Sequence, residues 1–193
     1  MSRRAMLGGT FNPPHSAHVA MAQYALEHLS FDEVIVMPTA TPPHKQAEEV
    51  APEYRLEMAR LAFAGIKGVI VSDLEQRRGG KSYTVDTVAE IGPLSLLMGE
   101  DMFVTIESWH RAGELIGSTE LVVFPRPGYQ EGVEEMAARL RAQYGAHVVV
   151  TDMPLHPGSS TEARAAIARG RRPDGVPNAV LNYIEEMGLY VSV

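Results

Sequence analysis

The sequence predicts an α/β fold, an open and mostly parallel sheet with helices on both faces, and two observations carry that expectation. Short β-rich apolar runs alternate with amphipathic stretches along the chain, as they do when a parallel sheet is covered on both sides. The apolar run Ala5-Met6-Leu7 then passes straight into Gly8-Gly9, where a missing Cβ lets backbone N–H groups come close to a ligand.

Taken in order, strands are expected at 4–8, 33–38, 69–73, 94–99, 121–124 and 148–151. Helices are expected at 15–29, 52–64, 85–91, 102–115 and 132–144, with two more at 161–169 and 177–187. The stretches 39–51 and 74–82 read as long loops after the second and third strands. Loops at the carboxyl ends of parallel strands surround the ligand crevice, so function is expected there.

Composition narrows the function classes. A chain of 193 residues, 45% hydrophobic, suits one α/β domain with a full core, and no internal repeat or linker divides it. With no cysteine, disulfides, thiolate metal sites and cysteine nucleophiles are excluded. There is no N-terminal apolar run of signal length and no apolar stretch long enough to span a membrane, so a cytoplasmic protein is expected. The net charge of −7 argues against a broad nucleic-acid-binding surface. It leaves a phosphate ligand open, because local donors outweigh distant charge.

The densest motif is Gly8-Gly9-Thr10-Phe11-Asn12-Pro13-Pro14-His15-Ser16-Ala17-His18. Pro13 and Pro14 are expected to open a helix, whose unpaired first N–H groups and positive dipole end would face the space beyond the glycines. His15 and His18 lie one turn apart, and two imidazoles beside a helix N-terminus suit a phosphate that gains charge during reaction. Further along stand Thr41-Pro42-Pro43-His44-Lys45, then Ser82-Tyr83-Thr84-Val85-Asp86-Thr87, where Thr84 reads as an N-cap. Gly99-Glu100-Asp101 follows the fourth strand, with Trp109-His110 beyond it. Finally, Gly158-Ser159-Ser160-Thr161-Glu162-Ala163-Arg164 puts hydroxyls before a helix that carries an arginine.

Together these resemble the nucleotidyltransferases that join a mononucleotide to ATP, and most closely the bacterial nicotinate-mononucleotide adenylyltransferases. The first motif resembles G-G-T-F-D-P-x-H-x-G-H, with Asn12 for aspartate and Ala17 for glycine, and the last resembles I-S-S-T-x-x-R, with Gly158 for isoleucine. The resemblance implies a Rossmann-like nucleotidyltransferase fold in a single domain over 1–193, whose part from about 152 completes the ATP site. It assigns Gly8, Gly9, Thr10, Phe11, His15, His18, His44, Lys45, Gly99, Asp101, Ser159, Ser160, Thr161 and Arg164 to ATP. Among these, His15, His18, Lys45 and Arg164 are the expected catalytic donors. Asn12, Tyr83, Thr84, Val85, Trp109 and His110 fall to the mononucleotide, with Trp109 stacking on the pyridine ring. The implied activity is adenylyl transfer from ATP to nicotinate mononucleotide in NAD biosynthesis. Mg²⁺ would arrive with ATP and use no dedicated protein site, and a homo-oligomer is allowed.

Other adenylyl acceptors, nicotinamide mononucleotide or phosphopantetheine, remain alternatives, as does a non-catalytic nucleotide-binding protein of the same fold. A dinucleotide-dependent dehydrogenase is disfavoured, because no G-x-G-x-x-G follows the first strand.

Overall fold

The computed structural model describes residues 2–41, 50–129, 132–156 and 158–191. Its sheet is six-stranded and wholly parallel, in the order β3-β2-β1-β4-β5-β6. The strands are β1 Arg4–Gly9, β2 Glu33–Pro38, β3 Val69–Val71, β4 Ser95–Gly99, β5 Glu120–Phe124 and β6 Val148–Val150. The helices are α1 Ser16–His28, α2 Pro52–Phe63, α3 Leu74–Arg78, α4 Thr84–Ile91, α5 Glu100–Phe103, α6 Ala112–Ser118, α7 Val133–Tyr144, α8 Ser160–Ala168 and α9 Asn178–Met187.

Alternation along each central strand builds two cores. Ala5, Leu7, Val34, Val36, Leu97, Val122 and Phe124 point to one face, where they pack against α1, α2, α8 and α9. Met6, Ile35, Met37, Leu96, Met98, Leu121 and Val123 point to the other, against α4, α6 and α7. Burial on both faces is why these strands read as continuous apolar runs.

Strand order reverses between β1 and β4, and there the sheet opens. β1 stays paired with β2 up to Gly9↔Pro38, and β4 with β5 up to Gly99↔Phe124. Between β1 and β4, pairing stops at Leu7↔Leu97. The two central strands therefore part over Gly8-Gly9 and Met98-Gly99, the switch point at which open α/β sheets take their ligands.

Four local expectations are corrected. The stretch 102–115 is not one helix: after α5 come a 3₁₀ turn at Ile106–Ser108, Trp109, and Arg111 in a left-handed conformation before α6 starts. Thr105 and Ser108 donate their hydroxyls to the carbonyls of Met102 (3.0 Å) and Thr105 (2.7 Å), local bonds that compete with a continuous helix. The 74–82 stretch is not all loop, because α3 forms and then stops at Gly79 and Gly80, both at positive φ. Pro13 and Pro14 precede α1 and do not open it; His15 is extended and caps the helix. Thr84 is the first residue of α4, with Tyr83 as its N-cap.

Candidate functional site

A cavity of about 220 Å³ fills the gap between β1 and β4. Gly8, Gly9, Thr10 and His18 line one side, Gly99, Asp101 and Arg126 another, and Glu75, Ser82, Thr84 and Trp109 the far end. A Cβ at Gly8 would meet nothing within 4 Å, so the open space there belongs to the cavity. At Gly9 a Cβ would press to 3.2 Å on the Phe11 ring.

The two histidines are not equivalent donors. Their rings stack at 3.7 Å, but His18 faces the cavity while His15 lies behind it, 2% exposed. The backbone N–H of His15 donates to His18 Nδ1 at 3.2 Å. In neutral His18 that nitrogen is the acceptor, so the ring proton sits on Nε2. Burial, helped by the Arg126 charge, lowers His15 from 6.5 to about 4. His18 is also lowered well below its usual range by burial, by His15 and by Arg126. Both imidazoles are thus neutral donors at physiological pH. Phe11 lies in the core beneath His18, its ring edge-on at 4.9 Å, and supports the imidazole without lining the cavity.

The α1 N-terminus offers less than its sequence promised. The Ser16 N–H donates to Gly175 O at 2.6 Å and that of His18 to His15 O at 3.0 Å. Asn12 is likewise occupied: its carbonyl accepts from Arg164 Nη1 at 2.7 Å and its Oδ1 from the Tyr190 hydroxyl at 2.5 Å. Ser160 donates to Pro13 O at 2.8 Å. Arg164 also reaches Thr161 Oγ1 at 3.3 Å, and Ser159 caps α8 by accepting from the Glu162 N–H at 3.3 Å. The 158–164 motif is therefore brought against the 8–18 motif, and its side chains hold that loop.

At the other end, the Thr84 and Val85 amides precede the first intrahelical bond of α4, which runs from Asp86 N to Tyr83 O. Thr84 and Trp109 share the cavity wall, whereas Val85 is buried in the second core. Tyr83 and His110 stack on each other at 4.1 Å. His44 and Lys45 lie outside the described residues.

Besides Tyr190, three contributors escaped the sequence reading. Arg126 pairs through Nε with Asp101 Oδ1 at 3.3 Å, while its backbone N–H donates to buried Glu100 at 2.7 Å. A side chain at Gly99 would strike both Asp101 and Arg126, so this glycine keeps the pair in place. Glu75 brings a buried carboxylate to the far end. Arg55, 1% exposed, lies outside the cavity and donates to the carbonyls of Thr10 (3.0 Å), Thr39 (2.5 Å), Ala40 (2.8 Å) and Val50 (3.0 Å). An arginine in an amphipathic helix gives no sign of such a role.

Comparison with known proteins agrees with this geometry. A family model described as cytidylyltransferase-like matches residues 6–166. The "Probable nicotinate-nucleotide adenylyltransferase" of Streptococcus pneumoniae serotype 4 is 37% identical, over 96% of this chain and 87% of the relative. That of Gemmatimonas aurantiaca is 38% identical, over 97% and 92%. Among solved structures, the Plasmodium falciparum nicotinic acid mononucleotide adenylyltransferase complexed with NaAD superposes with a TM-score of 0.80, over 98% of each chain at 17% identity, a likeness of fold. With the 8–18 and 158–164 motifs brought together and its near-full-length relatives agreeing, the chain belongs to the nicotinate-nucleotide adenylyltransferase family.

Proposed function

We propose that this chain transfers the adenylyl group of ATP to the 5′-phosphate of nicotinate mononucleotide, giving nicotinate adenine dinucleotide, the deamido precursor of NAD, and pyrophosphate. One observation carries the reading: two unlike ends share one cavity, His18 and the glycine turn at one and the α4 amides with Trp109 at the other. The first suits a phosphate and the second a flat ring bearing an anionic substituent. The names of the relatives point to the same acceptor.

In this mechanism a phosphate oxygen of the mononucleotide attacks the α-phosphorus of ATP. The new P–O bond forms as the bond from α-phosphorus to the bridging oxygen breaks, and that electron pair leaves with pyrophosphate. The nucleophile is already an anion, so the protein's work is alignment and charge stabilisation. His18 donates Nε2–H to the transferring phosphate, backed by the His15 ring. A neutral donor does this without moving a proton. Arg164 bears on the leaving group: a guanidinium has five N–H donors, and its bonds to Asn12 and Thr161 leave others for phosphate oxygens. Lys45, Ser159 and Thr161 join it there, Ser160 acting through its backbone N–H because its hydroxyl is given to Pro13, and Asp101, steadied by Arg126, takes the adenosine side.

Mg²⁺ belongs to the ATP in this proposal, where it would neutralise polyphosphate charge. Among the described residues no group of three His, Asp or Glu side chains gathers to hold a metal. The phosphate end presents N–H donors, a chemistry suited to anions. No helix among the described residues is long and apolar enough to cross a membrane. The proposal extends to a cytoplasmic enzyme, since its substrates are cytoplasmic metabolites.

Pyrophosphate release from ATP, assayed against nicotinate mononucleotide, nicotinamide mononucleotide and phosphopantetheine, tests the reading. Release is expected with the first, weakly with the second and not with the third. Silence with all three means a nucleotide binder without transferase activity.

A further inference from the structure

Glu75 is a buried titratable side chain that the mechanism leaves unused. It stands on α3, with only 7% of its side chain exposed, in the wall of the cavity end that holds Thr84 and Trp109. Oε1 accepts from the Thr87 hydroxyl at 2.7 Å, one turn into α4. Oε2 is sealed from solvent and has no hydrogen-bond partner. Arg78 does not close it: its Nη2 donates to Thr87 at 2.9 Å and its Nη1 to Glu90 at 3.1 Å, while Glu75 Oε1 lies 4.0 Å from Nη2. Oε2 is thus buried without a hydrogen bond, and the Arg78 charge stands off at 4.0 Å from Oε1, so a cation held in the cavity would add favourable charge across the wall.

We infer that Glu75 is the counter-ion for the pyridine ring of the acceptor, and that it makes the enzyme select mononucleotides whose ring is cationic. This rests on the substrate reading above. An N-ribosylated pyridine carries a full positive charge, whereas its 1,4-dihydro form has nearly the same outline and no ring charge. Trp109 favours the cation through its π face, and Glu75 acts through a low-dielectric wall, where a charge is poorly screened. The same carboxylate repels the ring's carboxylate substituent, turning it toward the Thr84 and Val85 amides. The ring thus binds in one orientation.

The experiment compares nicotinate mononucleotide with its 1,4-dihydro form in wild type, Glu75→Gln and Glu75→Asp. Readouts are kcat/KM at saturating ATP, Kd by titration calorimetry and Tm. Wild type is expected to favour the cationic ring by about tenfold or more. Glu75→Gln keeps an oxygen for Thr87 but loses the charge, so it should weaken the cationic substrate about tenfold and leave the dihydro form no weaker, since its carboxylate is no longer repelled. Glu75→Asp should retain the preference. Equal losses with both ring forms, an unchanged preference in Glu75→Gln, or wild-type parity would each overturn the counter-ion role. Failure of the substrate reading looks different, because nicotinate mononucleotide itself would then go unused by the wild type.

Discussion

Tyr190 donates its hydroxyl proton to Asn12 Oδ1 at 2.5 Å, joining positions 178 residues apart. Tyr190 does so from a left-handed backbone, φ 64°, which a bulky residue adopts only when its surroundings hold it there. With Arg164 on the Asn12 carbonyl and Ser160 on that of Pro13, three side chains from α8 and from the turn after α9 fix the connection between β1 and α1. In Tyr190→Phe, denaturant unfolding should show a loss of about 1 kcal/mol, the net worth of one hydrogen bond. Turnover should fall about fivefold or more, beyond that modest stability loss, since small misplacement of reacting groups is expensive. Wild-type turnover would remove Tyr190 from the support of the site.

Gly158 touches His15 where a side chain cannot fit. An added Cβ would lie 2.7 Å from His15 Nδ1, and φ is 149°. The glycine that departs from the family's isoleucine is therefore a packing solution at the histidine pair. Gly158→Ala should lower kcat about tenfold or more, with a Tm drop consistent with 1–3 kcal/mol of overpacking and strain. An unaffected kcat would show that the loop yields without moving His15.

Stability should fall on mild acidification through these same rings. His15 binds its proton near pH 4 in the folded chain and near 6.5 when unfolded. Between those values the unfolded state holds the extra proton, so the contribution is full above pH 6.5 and drains away as pH falls toward 4. From pH 7 to pH 5 His15 alone should cost about 2 kcal/mol, and His18 adds in the same direction. Urea titrations of wild type and His15→Asn at both pH values isolate it: the variant should lose less than the wild type on acidification. Equal losses would mean that His15 protonates freely in the folded protein.

His18→Ala should reduce turnover by roughly 10²-fold or more with the fold intact, because the transferring phosphate loses its donor. His15→Ala should also be damaged, because it removes the ring on which His18 stacks and places a void in the support of the site. Single-turnover rates with circular dichroism as a fold check distinguish lost chemistry from lost structure. A His18→Ala enzyme at wild-type rate would refute the assignment.

Acid over amide is the expected substrate preference. The Thr84 and Val85 amides favour a carboxylate, whereas a carboxamide must set its own NH₂ against donors. The kcat/KM for nicotinate mononucleotide should exceed that for the amide by at least tenfold, about 1.4 kcal/mol of differential transition-state binding. Trp109→Ala should weaken both alike. Parity between acid and amide would overturn the preference while leaving the chemistry standing.

Strand positions were legible in the sequence because burial on both sheet faces leaves continuous apolar runs such as Leu96-Leu97-Met98 and Leu121-Val122-Val123. The glycine turn, His18, Thr84 and Trp109 were legible because short motifs encode their geometry locally. Glu75, Arg126, Arg55 and Tyr190 were not, because each acts through partners distant in sequence, on a carbonyl, amide or carboxylate that no local pattern announces. The Thr105 and Ser108 hydroxyls broke an expected helix for a related reason. Apolar spacing could not weigh those local bonds against helical ones, and the break is what puts Trp109 in the cavity wall.

Arg55 bears on the cavity from outside it. It holds Thr39 and Ala40 at one end of the stretch after β2 and Val50 at the other, with Thr10 of the neighbouring turn in the same grip. Both flanks are thus clamped to one helix. The Arg55 grip ties the glycine turn to the end of β2, so Arg55→Ala would be felt at Thr10 in the cavity wall although the arginine itself lies outside it.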